Sequence, residues 1–335
     1  MWLQNSLNLF PTRMIKKNKI DNEPLVSVIM NCYNGEKYLR EAIDSVYSQT
    51  YKDWEIIFWD NASTDRSAEI AKSYNSKLKY FRGEKTISLG AARNKAMEQC
   101  NGKYIAFLDV DDIWMSEKLE RQIPLFNDLK VGIVFSLYVK STDKGIVNKN
   151  TELGGNDVSF FQMGGLLSLN GLPLSSTIVS KKGLGSLNHM FDELLQHAEE
   201  YDLFLRLGYY YNAVRINKPL FIYRIHPDMN SLKDFNRNII ESEYVFSKIK
   251  LLHPDIEDKY STELESVEMQ NAWGQFLRCI LKKERRKARK YLFPYIGLNI
   301  KYFSCFFLSF FSSKLIKTLW VHSNSKKGNL DHLSL

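Results

Sequence analysis

Phe107-Leu108-Asp109-Val110-Asp111-Asp112-Ile113-Trp114 places three carboxylates directly after an apolar run that begins at Tyr104. Tyr104 to Leu108 reads as a buried strand. Side chains alternate faces along a strand, so Asp109 and Asp111 are expected on one side where it ends. Like charges that close repel and raise each other's pKa. An ionised pair is best explained by a cation that takes hard oxygen ligands, Mg²⁺ or Mn²⁺. An isolated D-x-D also occurs as an acidic turn that caps the next helix, so the surrounding chain has to decide between the two.

Upstream of this stretch, strand and helix alternate. Pro24-Leu25-Val26-Ser27-Val28-Ile29-Met30 is a short β-branched run behind a proline, and Asn31-Cys32-Tyr33-Asn34-Gly35 ends it. Leu39, Ala42, Ile43 and Val46 then recur at helical spacing. Trp54 to Trp59 gives a second strand, and Asp60-Asn61-Ala62-Ser63-Thr64-Asp65 turns into a helix with Ser63 or Thr64 as the expected N-cap. Lys79 to Phe81 is a third strand, the helix Leu89 to Gln99 is closed by Gly102, and Tyr104 to Leu108 is the fourth strand. Such alternation argues for a mainly parallel α/β sheet flanked by helices, whose ligands lie beyond the carboxyl ends of the strands. The clusters Asn31 to Asn34, Asp60 to Asp65 and Asp109 to Asp112 then share one edge. The first β-α turn lacks G-x-G-x-x-G and there is no P-loop, which argues against a simple dinucleotide or P-loop nucleotide site.

With these elements in place, the runs P-L-V-S-V-I-M-N-C-Y-N, W-D-N-A-S-T-D, G-A-A-R-N and F-L-D-V-D-D-I-W, in this order and spacing, closely resemble inverting glycosyltransferases of family 2, of the bacterial surface-polysaccharide type. The resemblance covers about Pro24 to Ser231 and implies the GT-A fold and a nucleoside-diphosphate sugar donor. It places Asn31 and Tyr33 at the nucleotide, Asp60 and Asn61 at the base or ribose, and Arg93 and Asn94 at the diphosphate. A UDP-sugar is the favoured donor and a dTDP-sugar a possible one; many relatives have a second aspartate where this chain has Asn61, so the preference for uridine over thymidine stays open. Asp111 becomes the principal metal ligand, Asp109 contacts ribose or a metal-bound water, and Asp112 is expected as a helix cap for Trp114 onward.

The cation neutralises charge on the leaving diphosphate, which leaves the acceptor hydroxyl in need of a base. His197-Ala198-Glu199-Glu200-Tyr201-Asp202-Leu203-Phe204-Leu205-Arg206-Leu207 is a helix with its acids at the N-terminus, where negative charge is favoured. Capping alone explains some acids there. The run also resembles the family's E-D motif, whose second acid is the general base. Glu200 stands where relatives usually have aspartate and is assigned that role, with Glu199 and Asp202 in reserve. Tyr223-Arg224-Ile225-His226 resembles the Y-R-x-H segment that closes over the diphosphate, so Arg224 is expected at the donor and His226 at the metal or a phosphate oxygen.

The 335 residues are 44% hydrophobic and 25% charged, and carry a formal net charge of +8 that is concentrated at the ends. Four cysteines show no C-x-x-C or ligand spacing, which supports neither zinc nor a disulfide framework and fits a reducing cytosol. The basic run near Arg13 follows the apolar residues instead of preceding them, so no export signal is expected. From about residue 236 the alternation gives way to long helices, then to Lys282 through Lys290, and then to an aromatic block through Trp320. Lysines interrupt that block before it reaches the ~18–20 apolar residues of a membrane-spanning helix. A helix or hairpin lying in the cytoplasmic leaflet of the membrane is expected, with a buried or oligomer-forming helix as the alternative.

The division is therefore an N-terminal tail (1–22), a glycosyltransferase domain (23–235) and a helical, membrane-associating extension (236–335). The expected acceptor is a lipid-linked saccharide or polysaccharide, as in lipopolysaccharide assembly. A non-catalytic nucleotide-sugar-binding scaffold is the rival reading. Nucleic-acid binding is disfavoured, because the aromatics sit in an apolar block instead of interleaving with Lys and Arg.

Overall fold

Strands apolar along their whole length imply a sheet covered on both faces. A computed structural model has this arrangement and describes residues 25–147, 157–169, 172–227, 229, 235–298 and 300–311. The first repeats run β1 (Val26–Cys32), α1 (Glu36–Tyr47), β2 (Trp54–Asp60), α2 (Ser67–Lys72), β3 (Leu78–Arg82), α3 (Leu89–Met97) and β4 (Tyr104–Phe107). Val28, Met30, Ile56 and Phe58 pack into the core on one face, while Ile29, Ile57, Ile105 and Phe107 pack into the core on the other. α1 buries Leu39, Ala42, Ile43 and Val46, as its spacing requires.

The chain continues with β5 (Ile113–Trp114), α4 (Lys118–Gln122), β6 (Val131–Thr142), β7 (Gly145–Ile146), β8 (Val158–Phe161), α5 (Met163–Ser168), β9 (Ile178–Ser180), α6 (Lys181–Leu184), α7 (Glu199–Tyr210) and β10 (Asn212–Arg224). The order across the sheet is β3-β2-β1-β4-β9-β6-β10-β5. β1 through β4 are mutually parallel. β9 is antiparallel to both β4 and β6, and β10 is parallel to β6 with β5 antiparallel on its far side. The sheet is thus parallel across its first half and mixed beyond. Strand order reverses between β1 and β4, and a crevice opens past the carboxyl ends of strands at such a point. Asn31 to Asn34 and Asp109 to Asp112 lie there.

Three local expectations are corrected. α2 starts at Ser67, not behind Ser63 or Thr64. Asp65 caps it by accepting the Ser67 N–H at 3.0 Å, and its other oxygen accepts the Glu36 N–H at the start of α1. Glu36 in turn accepts the Arg66 N–H at 2.9 Å, so two helix starts cap each other. Gly102 is needed less as a helix stop than for close approach, since a Cβ there would lie 2.5 Å from the Ser27 nitrogen. Asp112 caps no helix, because Ile113-Trp114 is a strand paired with β10; its Oδ1 accepts the Arg224 N–H at 3.1 Å.

Helices Phe235–Leu252, Ile256–Lys259, Ser261–Leu281, Arg285–Leu292 and Ile300–Phe311 follow. The change near residue 236 is one of local structure. Packing continues across it, with Val245, Phe246, Ile249, Leu264 and Val267 sharing a cluster with Phe107, Phe135 and Phe204. A smaller cluster joins Phe276, Ile280, Ala288, Leu292, Tyr302 and Cys305. Among the described residues no helix is long and apolar enough to cross a membrane. The tail 1–22, Gly154 and Gly155, and the chain beyond residue 311 with Lys314, Lys317 and Trp320 lie outside the described residues.

Candidate active site

β4 ends at Phe107, so the strand alternation expected to align Asp109 with Asp111 stops short of them. The acids sit instead on a turn closed by Asp112 N–H donating to the Asp109 carbonyl at 3.1 Å. The turn is anchored from outside. Ser175 Oγ accepts the Asp109 N–H at 3.1 Å, and the Ser175 carbonyl accepts the Trp114 indole N–H at 2.8 Å. Nothing in the sequence around Ser175 announced this role.

The acids look two ways. Asp111 Oδ2 lies 2.9 Å from His226 Nε2, while the buried Nδ1 of His226 has no hydrogen-bond partner. The imidazole packs 4.9 Å from the Tyr38 ring, and Arg224 stacks over the same ring at 4.4 Å while bridging to Glu41 on α1. The end of β10 is thereby latched onto α1, above Asp111. Asp109 faces the other way, 3.5 Å from Arg93 Nη2.

Arg93 is buried in α3, where the sequence reading offered its fork to a diphosphate. Its Nη1 makes a close pair with Glu199 Oε1 and lies 3.5 Å from Glu200 Oε2. One guanidinium thus serves three carboxylates, and only Glu199 is held at full hydrogen-bonding contact. Buried Glu199 Oε2 has no partner. Excess negative charge registers in the proton affinities. Burial, with Glu199 beside it and against the pull of Arg93, raises Glu200 to about 8. Burial and neighbouring Asp111 raise Asp109 to about 6 against Arg93, even though water reaches 44% of its side chain. Burial and the adjacent Asp109 and Asp111 hold Asp112 well above the usual carboxylate range.

The second strand's turn is different. Asp60 is fully buried; its oxygens accept the Ser63 N–H at 2.7 Å and the Tyr80 hydroxyl at 2.6 Å, and pair with Arg82 Nη1 at 2.5 Å. Asn61 is closed onto Ile87 through both amide atoms. Asn94 holds the Phe191 backbone at N and O. With these contacts the three residues brace the walls of the crevice. Tyr33 is exposed at the crevice, and the buried Asn31 Nδ2 has no partner. Arg82 was missed, although the carboxyl-end rule applied to β3 points to it. Asp202, kept in reserve as a base, is paired with Arg206 and Lys248. His189, Asp192 and Asp202 present ligand atoms within 4.8 Å of one another, but the Lys248 ammonium lies 2.6 Å from Asp192 and 2.8 Å from Asp202, which fills the place a cation would take.

The family model for glycosyl transferase family 2 matches residues 27–176. An uncharacterized glycosyltransferase of Methanocaldococcus jannaschii is 34% identical over 231 residues, 67% of this chain and 78% of that protein. The chain belongs to glycosyl transferase family 2. This glycosyltransferase is also 28% identical over 279 residues to the Escherichia coli UDP-Glc:alpha-D-GlcNAc-diphosphoundecaprenol beta-1,3-glucosyltransferase WfgD, covering 83% of this chain and 94% of that protein. Its fold, GT-A, is shared with Staphylococcus aureus TarS in complex with UDP-GlcNAc (TM-score 0.61, 18% identity, 92% of this chain and 93% of that one). The Pyrobaculum calidifontis mannosyltransferase PcManGT, in complex with GDP-Man and Mn²⁺, is similar as well (TM-score 0.58, 16% identity, 83% and 76%).

Proposed function

We propose that this glycosyltransferase is an inverting, metal-dependent hexosyltransferase that moves one sugar from a nucleoside diphosphate, a UDP-sugar before a dTDP-sugar, to a hydroxyl of a lipid-linked saccharide. The observation that carries the reading is the meeting of Asp109, Glu199 and Glu200 on the single buried guanidinium of Arg93.

Glu199 takes that charge most fully, which leaves Glu200, like Asp109, 3.5 Å from the guanidinium, and of these two Glu200 has the higher affinity for a proton. It stands at the N-terminus of α7, 29% of its side chain open to solvent. A carboxylate in that condition accepts a proton from an incoming hydroxyl, and a base of this kind contributes ~10²–10⁴-fold to the rate. Attack and departure then occur on opposite faces of the sugar, which inverts the anomeric centre.

The residues past β4 fit a hard divalent ion: the carboxylates of Asp109, Asp111 and Asp112 crowd one turn, and an imidazole lies 2.9 Å from Asp111. Asp111 and His226 would hold Mg²⁺ or Mn²⁺, with Asp109 beside them. When bound, such an ion neutralises negative charge on the departing diphosphate. The same neutralisation relieves the repulsion within the turn. Arg224, latched on Tyr38, closes the site from the β10 side. Tyr33 and Asn31 face the nucleotide, and Asp60 and Asn61 hold its loop.

The carboxy-terminal helices support a place on the inner face of the cytoplasmic membrane. In the Ile300–Phe311 helix, Tyr302 and Cys305 pack inward while Phe303, Phe307 and Phe310 stay exposed, next to a helix whose Arg286, Lys287 and Lys290 face solvent. Aromatics below lysines suit an anionic headgroup layer. WfgD's named acceptor, a diphosphoundecaprenol-linked sugar, would lie in that layer.

Screening UDP-, dTDP- and GDP-sugars for stabilisation that requires Mn²⁺ tests the donor assignment. Stabilisation by a UDP-sugar only with metal, followed by transfer with inverted anomeric configuration by NMR, is expected. A retained configuration would contradict the mechanism.

A further inference from the structure

α7 begins without a cap of its own. The residue before it, Ala198, has no side chain that can accept a hydrogen bond, and none caps the helix. The amides leading into the helix instead converge on one carboxylate from a distant element. Glu241, in the Phe235–Leu252 helix, accepts the N–H groups of Gln196 at 2.9 Å, His197 at 2.7 Å and Ala198 at 3.2 Å. Its other oxygen pairs with Arg237 Nε at 2.7 Å, and the residue is 5% exposed.

An acid buried this deeply is tolerated only when its charge is met by donors, and here three of them belong to the three residues that immediately precede Glu199 and Glu200. The direction in which the chain enters α7 is fixed by that carboxylate. The first N–H groups of a helix have no intrahelical acceptors, so without the clamp the chain entering α7 is held by fewer bonds and the two acids would ride on a looser start. The same helix adds a second tie, Lys248 to Asp192 and Asp202, which joins the loop carrying Phe191 to α7. Phe191 in turn lies beneath the Arg93 guanidinium, 5.5 Å from its ring centre.

We propose that Glu241 is a positioning residue for sugar transfer: its carboxylate, supplied by the helical extension outside the matched family domain, holds residues 196–198 so that Glu200 is presented to the acceptor hydroxyl. The inference rests on Glu200 as the base. It makes the extension part of the catalytic machinery in addition to any role at a membrane.

The test uses the full chain with UDP-glucose, Mn²⁺ and GlcNAc-diphosphoundecaprenol, and compares wild type with Glu241→Gln, Glu241→Asp, Glu200→Gln and the Glu241→Gln/Glu200→Gln double variant. Glu241→Gln keeps the shape but puts an amide where two oxygens accepted N–H groups. Its expected effect is a fall in kcat of about tenfold or more, with the KM for UDP-glucose and calorimetric binding of UDP within twofold of wild type. Glu241→Asp, which keeps the charge, recovers part of kcat. In the Glu200→Gln background the Glu241 change has little further effect, because both act through one group.

A Glu241→Gln protein that binds UDP as wild type does and also turns over as wild type does, while Glu200→Gln is inactive, overturns the positioning role and leaves the base intact. Glu200→Gln with wild-type turnover overturns the base assignment itself. Should Glu241→Gln unfold, Arg237→Gln loosens the same carboxylate more gently, and kcat unchanged within twofold there overturns the proposal.

Discussion

Two aspartate-bearing turns end neighbouring parallel regions of one sheet and have opposite fates. The turn after β2 is internally neutral: Asp60 is enclosed by Arg82, Tyr80 and the Ser63 amide. The turn after β4 is not. Asp109 shares a guanidinium at 3.5 Å with better-placed Glu199, and Asp111 has an imidazole. A paired acid is scaffold, whereas crowded acids without enough cations mark where a ligand's charge is wanted.

Asp111→Asn should have the largest effect of any change in the two turns. Transfer should fall ~10³-fold, the equivalent of several kcal/mol of charge stabilisation, and UDP should no longer stabilise the protein in a Mn²⁺-dependent way. Folding in the absence of ligand should be no worse. Asp60→Ala is the converse. It leaves a guanidinium, a hydroxyl and an amide without their acceptor, so stability in urea should drop by about 1.5–3 kcal/mol while any transfer that remains still requires metal.

The crowded acids also leave a mark on the pH profile. Glu200 ordinarily titrates near 4.5 and here near 8, so kcat/KM should climb about tenfold per pH unit below 8 and level off above it. The sign for stability is opposite. The folded protein keeps this proton up to about 8, while the unfolded chain releases it near 4.5. Stability from this group is therefore full below 4.5 and is lost as pH rises toward 8. Glu200→Gln should flatten that decline in a series of thermal melts. The smallest effect lies outside both turns. Replacing Phe303, Phe307 and Phe310 with serine should weaken sedimentation with anionic vesicles about tenfold and leave transfer to a short-chain soluble acceptor unchanged.

What the sequence made legible was local. The strands β1 to β4 and their helices are contiguous apolar runs or three-four patterns, and each lies within a few residues of its expected place. The turn after β4 was legible because three acids crowd it. Partnerships across long separations were not. Arg93 and Glu199 are 106 positions apart, and Glu241 meets its amides from 43 to 45 positions away, so neither spacing carries a periodic signal. β6 and β10 were passed over, although Val131-Gly132-Ile133-Val134-Phe135 is as β-branched as β1, and Asp112 was misread because Ile113-Trp114 pairs with a strand more than a hundred residues on. In sequence the aromatic block fits either a membrane-facing or a buried helix. Its helix is amphipathic, with one face packed and the other exposed.

Glu200→Gln decides whether Glu200 is the base, with transfer and donor binding measured on the same preparation. The base assignment predicts UDP and Mn²⁺ affinities within about twofold of wild type and sugar transfer lowered ~10²–10⁴-fold. Turnover close to wild type in that variant would contradict it.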